Sequence, residues 1–125
     1  MCKSILINLN RIFRGIAPMS NEPCFVYMAA GSKDEASVIG RCLVEENLAA
    51  CVNIMDGMTS IYRWEGKLET ASETVLIAKT MSNKVEALTE RVKALHSYNC
   101  PCIVTLAIES GNLDFLSWIK EQVIN

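Results

Sequence analysis

The sequence predicts an α+β domain in which the elements follow in the order β-α-β-β-α-β-α. Three observations predict it. Short apolar segments alternate with helical segments of 3.6-residue apolar periodicity, a two-residue glycine turn joins two long strands in mid-chain, and 125 residues suffice for one domain. Two β-α-β units in this order form a four-stranded antiparallel sheet with helices on one face, which is the ferredoxin-like arrangement.

Turn-forming and capping residues mark the boundaries of the first strand and the first helix. Residues 24–30 form an apolar run bounded by proline and glycine, which predicts a short buried strand. Ser32 with Glu35 three residues later matches a capping box, so a helix begins at this point. Asn47 tolerates a left-handed conformation and is expected to end the helix. The predicted buried stripe of this helix consists of Ala36, Ile39 and Leu43.

The two central strands form a long hairpin. Residues 50–64 and 68–80 are the predicted arms, and Glu65-Gly66 supplies the turn because glycine readily takes a positive φ. Asp56-Gly57 lies inside the first arm, where a glycine often marks a β-bulge.

The rest of the chain predicts two more helices and a strand. Ser82 is the expected cap of the second helix, and Asn112 is the expected cap of the last helix. Between them, residues 103–108 form an apolar run that predicts the fourth strand. The inward-facing residues are Val85, Leu88, Val92 and Leu95 on the second helix and Phe115, Leu116, Ile119 and Val123 on the last.

The length of the hairpin predicts assembly. Strands usually have about five or six residues, whereas these arms have about thirteen, so their ends must extend beyond the domain. The second face of the sheet has no helices of its own. Exposed strand edges and an uncovered face are liabilities in a monomer, and a symmetric oligomer would cover both.

Composition excludes several classes of function. Half of the residues are apolar, 21% are charged and the net charge is −2, so no basic footprint for nucleic acid is present.

Residues 1–21 are predicted to be an N-terminal extension, either a targeting peptide or disordered, ahead of a domain at residues 22–125. This extension is basic and amphipathic, and no apolar run is long enough for a transmembrane segment. We expect a cytoplasmic protein, with the mitochondrion as the alternative.

The six cysteines are predicted to be free thiols. The chain is large enough to build a core without disulfides, and it shows no secretory signal. Cys51 has apolar neighbours, which indicates a packed and unreactive thiol rather than a nucleophile.

Several motifs occur in an order that is similar to the CutA family of divalent-cation-tolerance proteins. They are Leu-Ala-Ala-Cys-Val-Asn-Ile at residues 48–54, Ser-Ile-Tyr-Arg-Trp-Glu-Gly-Lys at residues 60–67 and Lys-Thr at residues 79–80. The segment His-Ser-Tyr-Asn-Cys-Pro-Cys-Ile at residues 96–103 and the final helix at residues 111–119 also resemble family motifs. The resemblance covers residues 23–123.

The resemblance implies a ferredoxin-like homotrimer in which long hairpins pair between subunits. It also implies a part in the tolerance of divalent metals, copper especially, and it carries no settled enzymatic activity. Related animal proteins are associated with membrane anchoring of acetylcholinesterase. The family motifs and interface chemistry assign Cys51, Tyr62, Trp64 and Tyr98 to the trimer interface or the family hallmark.

The predicted metal ligands are His96, Cys102, Cys100 and Met28, and the expected cofactor is copper with no organic cofactor. His96 is the only histidine, and imidazole binds copper, zinc or nickel. This chain departs from the family in the same loop, where Ser97 replaces a proline, Cys102 replaces the glutamate after Pro101, and Cys100 precedes that proline. Thiolates favour soft metals. The alternatives are a hydrogen-bonded loop histidine, an ordinary buried thiol at Cys102 and a core methionine at Met28.

These observations predict a trimeric metal-binding protein of copper tolerance or homeostasis. The chain contains no catalytic motif, phosphate-binding loop or dinucleotide fingerprint, so we do not expect an enzyme. Two alternatives belong to other classes: a small-molecule-sensing signalling trimer, and a structural or anchoring protein for a membrane-associated partner.

Overall fold

The computed structural model describes residues 21–124 and confirms the predicted order of elements. Four strands, three α-helices and one 3-10 turn follow one another within this range. They are β1 (Pro23–Ala30), α1 (Lys33–Glu45), β2 (Cys51–Trp64), β3 (Lys67–Met81), the 3-10 turn (Ser82–Lys84), α2 (Val85–Leu95), β4 (Ile103–Ala107) and α3 (Leu113–Gln122). The predictions made for the N-terminal extension lie outside the described residues, apart from Asn21.

The strands form one antiparallel sheet in the order β2-β3-β1-β4. This is the strand order of the ferredoxin-like arrangement, so the predicted fold is confirmed. β1 is central and pairs with β3 on one side and β4 on the other. β1 therefore lies between β3 and β4, two strands that are distant from it in sequence.

Helices α1 and α2 pack on one face of this sheet. Alternate residues of a strand point to opposite faces, and the buried members of β1 and β3 include Val26, Met28, Leu76 and Ala78. These residues contact the apolar stripes of the two helices. The predicted stripes are confirmed at Ala36, Ile39, Leu43, Leu88 and Val92, with Val85 and Leu95 packed at the edge of the same cluster.

The ends of α1 follow the sequence signals. Ser32 Oγ accepts a hydrogen bond from Glu35 N at 3.1 Å, and Glu35 Oε1 accepts one from Gly31 N at 3.0 Å. At the other end, Asn47 has a φ of 58°. Its N–H and that of Leu48 close a Schellman motif on the last turn.

The predicted cap of α2 is wrong. Ser82 begins the 3-10 turn, and no side chain caps α2, which starts after Lys84. Ser82 Oγ instead accepts a hydrogen bond from Glu22 N at 3.0 Å. The hydroxyl thus fixes the start of β1 rather than the start of a helix.

The hairpin is shaped by its turn and its bulge. Glu65 and Gly66 both have positive φ, 51° and 80°, as a type I′ turn requires. The register shifts by one residue between Met55 and Met58, which confirms the predicted bulge, and Gly57 there has a φ of 80°. Beyond the bulge, the arm carries large exposed residues, among them Ile61, Tyr62, Trp64 and Leu68.

The face of the sheet opposite α1 and α2 is apolar and largely uncovered among the described residues. Phe25 pairs with Leu106, and Tyr27 pairs with Val104, so these four side chains share that face. Val104 is 50% exposed and Leu106 is 46% exposed. The prediction of a sheet face without helices holds only in part, because α3 packs against one end of this face at Met81.

The last helix closes a second, smaller core. Asn112 Oδ1 accepts a hydrogen bond from Asp114 N at 3.0 Å, which confirms the predicted cap. Ile119 and Val123 face inward and contact Ala50 and Met81. Phe115 does not face inward as predicted. It is 40% exposed, and its ring stacks on Trp118 with centroids 5.6 Å apart.

Candidate metal centre in the loop between α2 and β4

The predicted metal-binding loop lies at the C-terminal end of β1. It comprises residues 96–102, which contain no helix or strand, and it joins α2 to β4. The loop therefore depends on side-chain contacts for its shape. Those contacts reach β1, the start of α1 and β3.

His96 uses both of its ring nitrogens inside the protein. Nδ1 lies 3.0 Å from Tyr98 N, and Nε2 lies 2.8 Å from the Ala29 carbonyl oxygen. Because the backbone N–H of Tyr98 can only donate, Nδ1 must accept and the proton must sit on Nε2, which donates to Ala29. The side chain is 1% exposed. His96 is therefore a buried imidazole in one defined neutral tautomer.

Glu35 lies beside this imidazole. Glu35 Oε2 accepts a hydrogen bond from Ser97 N at 2.7 Å while Oε1 accepts from Gly31 N. Burial by itself raises the pKa of Glu35, but the hydrogen bonds from Ser97 and Gly31 outweigh burial and lower the pKa below its usual range. Glu35 Oε2 also lies 3.7 Å from His96 Nδ1, which is too long for a hydrogen bond.

Tyr98 connects the loop to β3. Its hydroxyl donates to Glu73 Oε2 at 2.8 Å, and its ring packs on His96 with centroids 4.6 Å apart. Burial first, and the hydrogen bond to Glu73 second, raise the pKa of Tyr98 to about 12. The phenol consequently stays protonated and donating throughout the physiological range.

The two loop cysteines have different states. Cys102 is a free, exposed cysteine, whereas Cys100 is disulfide-bonded. The prediction of free thiols is therefore wrong for Cys100. Partial burial first, and the nearby charge of Glu73 second, raise the pKa of the Cys102 thiol. A metal ion would have to displace that proton before the sulfur could coordinate it.

The structure does not bring the four predicted ligands together as a preformed centre. Within residues 21–124, no group of three or more His, Cys, Asp or Glu side chains is placed to hold a metal ion. Met28 is 1% exposed and belongs to the core between the sheet and the helices. Of the predicted ligands, only Cys102 is both an exposed residue and a free cysteine.

The predicted interface residues lie elsewhere. Tyr62 and Trp64 are exposed near the end of the hairpin, where Trp64 is 57% exposed. Cys51 is only partly buried, and it pairs with Lys79 on the uncovered face of the sheet. It is not a residue of the helix-side core, because the register of β2 turns it away from the helices.

Sequence reasoning missed the two carboxylates that organise the loop. Glu35 was recognised as a capping residue, but its contact with Ser97 joins residues 62 positions apart and leaves no local pattern. Glu73 gave no signal because it is one of two glutamates on β3 and belongs to no motif. Within the described residues, no helix is long and apolar enough to cross a membrane.

Comparisons with known proteins show the family and the fold of the chain. A family model for the CutA1 divalent ion tolerance protein matches residues 24–122. A divalent-cation tolerance protein CutA from Thermus thermophilus is 48% identical over 97 residues, which span 78% of this chain and 94% of that protein. Its counterpart from Archaeoglobus fulgidus is 48% identical over 99 residues, spanning 79% of this chain and 96% of that one.

Solved structures extend the similarity to the fold. The Thermus thermophilus divalent cation tolerance protein has a TM-score of 0.79 and 46% identity, with 80% of this chain and 97% of that chain covered. The aligned region spans 55% of a chloroplastic relative from Oryza sativa and 59% of one from Homo sapiens.

The strand order and the overlong central hairpin define a ferredoxin-like α+β protein with an extended β arm. The family match and these relatives then make the assignment specific: the chain belongs to the CutA1 divalent ion tolerance family.

Proposed function

We propose that this chain acts in the tolerance of divalent metals, copper among them, as a homotrimer in which Cys102 makes the metal contact of each chain. The observation that carries the trimer is the apolar sheet face that α1 and α2 leave uncovered. The proposal assigns no catalytic step to the protein.

The uncovered face supports association because it combines apolar area with open edges. Val104 and Leu106 lie on β4, an edge strand, and they continue the row formed by Phe25 and Tyr27. The other edge strand, β2, extends into the exposed hairpin arm. Assembly of several copies could pair the open strand edges and bury the apolar face at the same time.

A charge placed on this face tests the trimer. Leu106→Glu should lower the mass measured by light scattering from three times the chain mass of 13.9 kDa towards that of a single chain. The desolvation of a carboxylate in an apolar contact opposes association. Thr105→Glu is the matched control, because this neighbouring residue on β4 is also exposed but points to the opposite face. Circular dichroism should show that both variants fold.

The mass of the unmodified protein decides the proposal. A single-chain mass at micromolar concentration would overturn the trimer. An unchanged mass for Leu106→Glu would show that the uncovered face is not the contact.

Cys102 supports metal binding through its chemistry and its exposure. A thiolate is a soft ligand that favours Cu(I), and Cys102 is the exposed, free cysteine of the predicted set. We therefore expect Cys102→Ser to weaken Cu(I) binding by about tenfold or more in competition with a chelator under reducing conditions. Cys42→Ser on α1 is the matched control. Equal affinity for Cys102→Ser and the wild-type protein would remove the proposed contact.

We also propose a cytoplasmic location, with import into mitochondria as the alternative. The names of two plant relatives describe them as chloroplastic. The basic N-terminal sequence supports the alternative for this chain. A fluorescent reporter fused behind residues 1–21 would stay in the cytoplasm under the first proposal and enter the organelle under the second.

A further inference from the structure

The loop that carries Cys102 is held by contacts to three separate elements. His96 bonds to Ala29 near the C-terminal end of β1, Ser97 bonds to Glu35 on α1, and Tyr98 bonds to Glu73 on β3. No strand ladder or helix stabilises residues 96–102 from within. These three attachments, together with the disulfide at Cys100, therefore set where the following residues, including Cys102, can lie.

His96 has no nitrogen lone pair available for a metal ion in this arrangement. Coordination through Nδ1 would displace the Tyr98 N–H, and coordination through Nε2 would require loss of its proton and of the bond to Ala29. Either change would leave a backbone polar group without its partner beside a fully buried ring, which folded proteins avoid. The geometry suits a structural imidazole rather than a ligand.

Glu35 reinforces the same arrangement from the other side. One carboxylate oxygen accepts from Gly31 and the other from Ser97, so this single side chain ties the β1–α1 turn to the loop. The Tyr98 ring lies against the same turn, within 3.6 Å of the position that a Cβ on Gly31 would occupy. His96 and Glu35 thus hold adjacent residues of one loop against adjacent segments of the fold.

We infer that His96 and Glu35 form a clasp that positions the Cys102 loop, and that His96 is a positioning residue and not a metal ligand. The role of the clasp in metal binding rests on the proposed function, but the clasp itself does not. It can be measured in the protein without metal.

The first test uses the full-length, metal-free protein with the disulfide at Cys100 intact. Glu35→Gln and His96→Gln should each speed hydrogen exchange of the Ser97 and Tyr98 amides by about tenfold or more, because the loop then opens locally more often. Glu86→Gln, at an exposed position on α2, is the matched control and should leave these rates unchanged. Exchange rates that stay within twofold of wild type in both variants, on the order of experimental scatter, would overturn the clasp.

The second test separates positioning from ligation. Titration with Cu(I) should leave the nitrogen resonances of the His96 ring in the pattern of the Nε2–H tautomer. A large shift of either ring nitrogen on Cu(I) addition would show coordination and would overturn the inference.

The two proposals fail in different ways. If Cu(I) binds nowhere on the chain, the metal part of the proposed function fails, while the exchange rates still decide whether the clasp exists. If Cu(I) binds and Glu35→Gln weakens binding as much as His96→Gln does, the shared effect supports positioning, because Glu35 holds the loop at Ser97 and shares no hydrogen bond with the His96 ring. Weakening by His96→Gln alone, with Glu35→Gln at wild-type affinity, would favour direct ligation and overturn it.

Discussion

The contact between α1 and β2 depends on the missing side chain of Gly40. This residue lies in the interior of α1, where glycine is about 1 kcal/mol less favourable than alanine. A Cβ at this position would lie 2.8 Å from Val52 Cγ2 and 3.4 Å from Leu76 Cδ1. The substitution Gly40→Ala therefore has two opposing effects: it raises the helix propensity of α1, and it introduces a steric clash.

The magnitude follows from those distances. Carbon atoms pack best at about 3.5–4.0 Å, so the contact with Val52 is about 1 Å too short. Val52 has a short, branched side chain on a paired strand, so relief requires a rotamer change or a shift of β2. Overpacking of this kind costs about 1–3 kcal/mol. After the helix-forming gain is subtracted, we expect Gly40→Ala to lower the free energy of unfolding by up to about 2 kcal/mol.

Denaturation by guanidinium chloride at a fixed protein concentration measures this change, since unfolding of an oligomer depends on concentration. The matched background is Val52→Ala, which removes the clashing methyl groups. In that background Gly40→Ala should instead stabilise the protein by about 1 kcal/mol. If Gly40→Ala stabilises the wild-type protein by that amount, the packing argument is refuted.

Three further changes test the bulge, the loop phenol and the last helix. Hydrogen bonds from Thr74 and Gly57 lower the pKa of Asp56 below its usual 3.8. The stabilising effect of the Asp56 carboxylate is therefore present above pH 3.8 and is lost as the pH falls through the lowered pKa. Asp56→Asn should make the free energy of unfolding fall less steeply as the pH is lowered in this acid range. An unchanged acid dependence would contradict this. Phenolate absorbance should place the pKa of Tyr98 at about 12, and nearer its usual 10.0 in Glu73→Gln; equal values would exclude a role for Glu73. Asn112→Ala should cost about 1 kcal/mol in chemical denaturation, whereas Asn99→Ala, in a loop, should not.

Local sequence patterns predicted most of the fold because the physics behind them is local. The capping box at Ser32, the left-handed Asn47 and the two-residue turn after Trp64 each depend on a few consecutive residues. Ser82 shows where this reasoning stops. Its hydroxyl could either cap the nearby helix or bond to another segment. In the structure it accepts a hydrogen bond from Glu22, 60 positions away, and does not cap the helix.

The candidate site was predicted less completely for the same reason. The sequence identified His96 and Cys102 as unusual residues of one loop, and in the structure Cys102 is an exposed, free cysteine. It could not show that Ala29 and Tyr98 occupy both nitrogens of the imidazole, because one of those bonds spans 67 positions. Met28 was a suitable ligand by type, but the register of β1 directs it into the core.

The sequence by itself determined the order of elements, the caps of α1 and α3, the turn and bulge of the hairpin, and the family. Each of these rests on periodicity or on short motifs that are readable in one dimension. Only the tertiary structure decided which groups meet at the end of β1, because pairing of β1 with β3 and packing of α1 and α2 bring Glu35, Glu73 and His96 to one loop. Hydrogen-bond partners there are fixed by proximity in space, which single-sequence patterns do not encode.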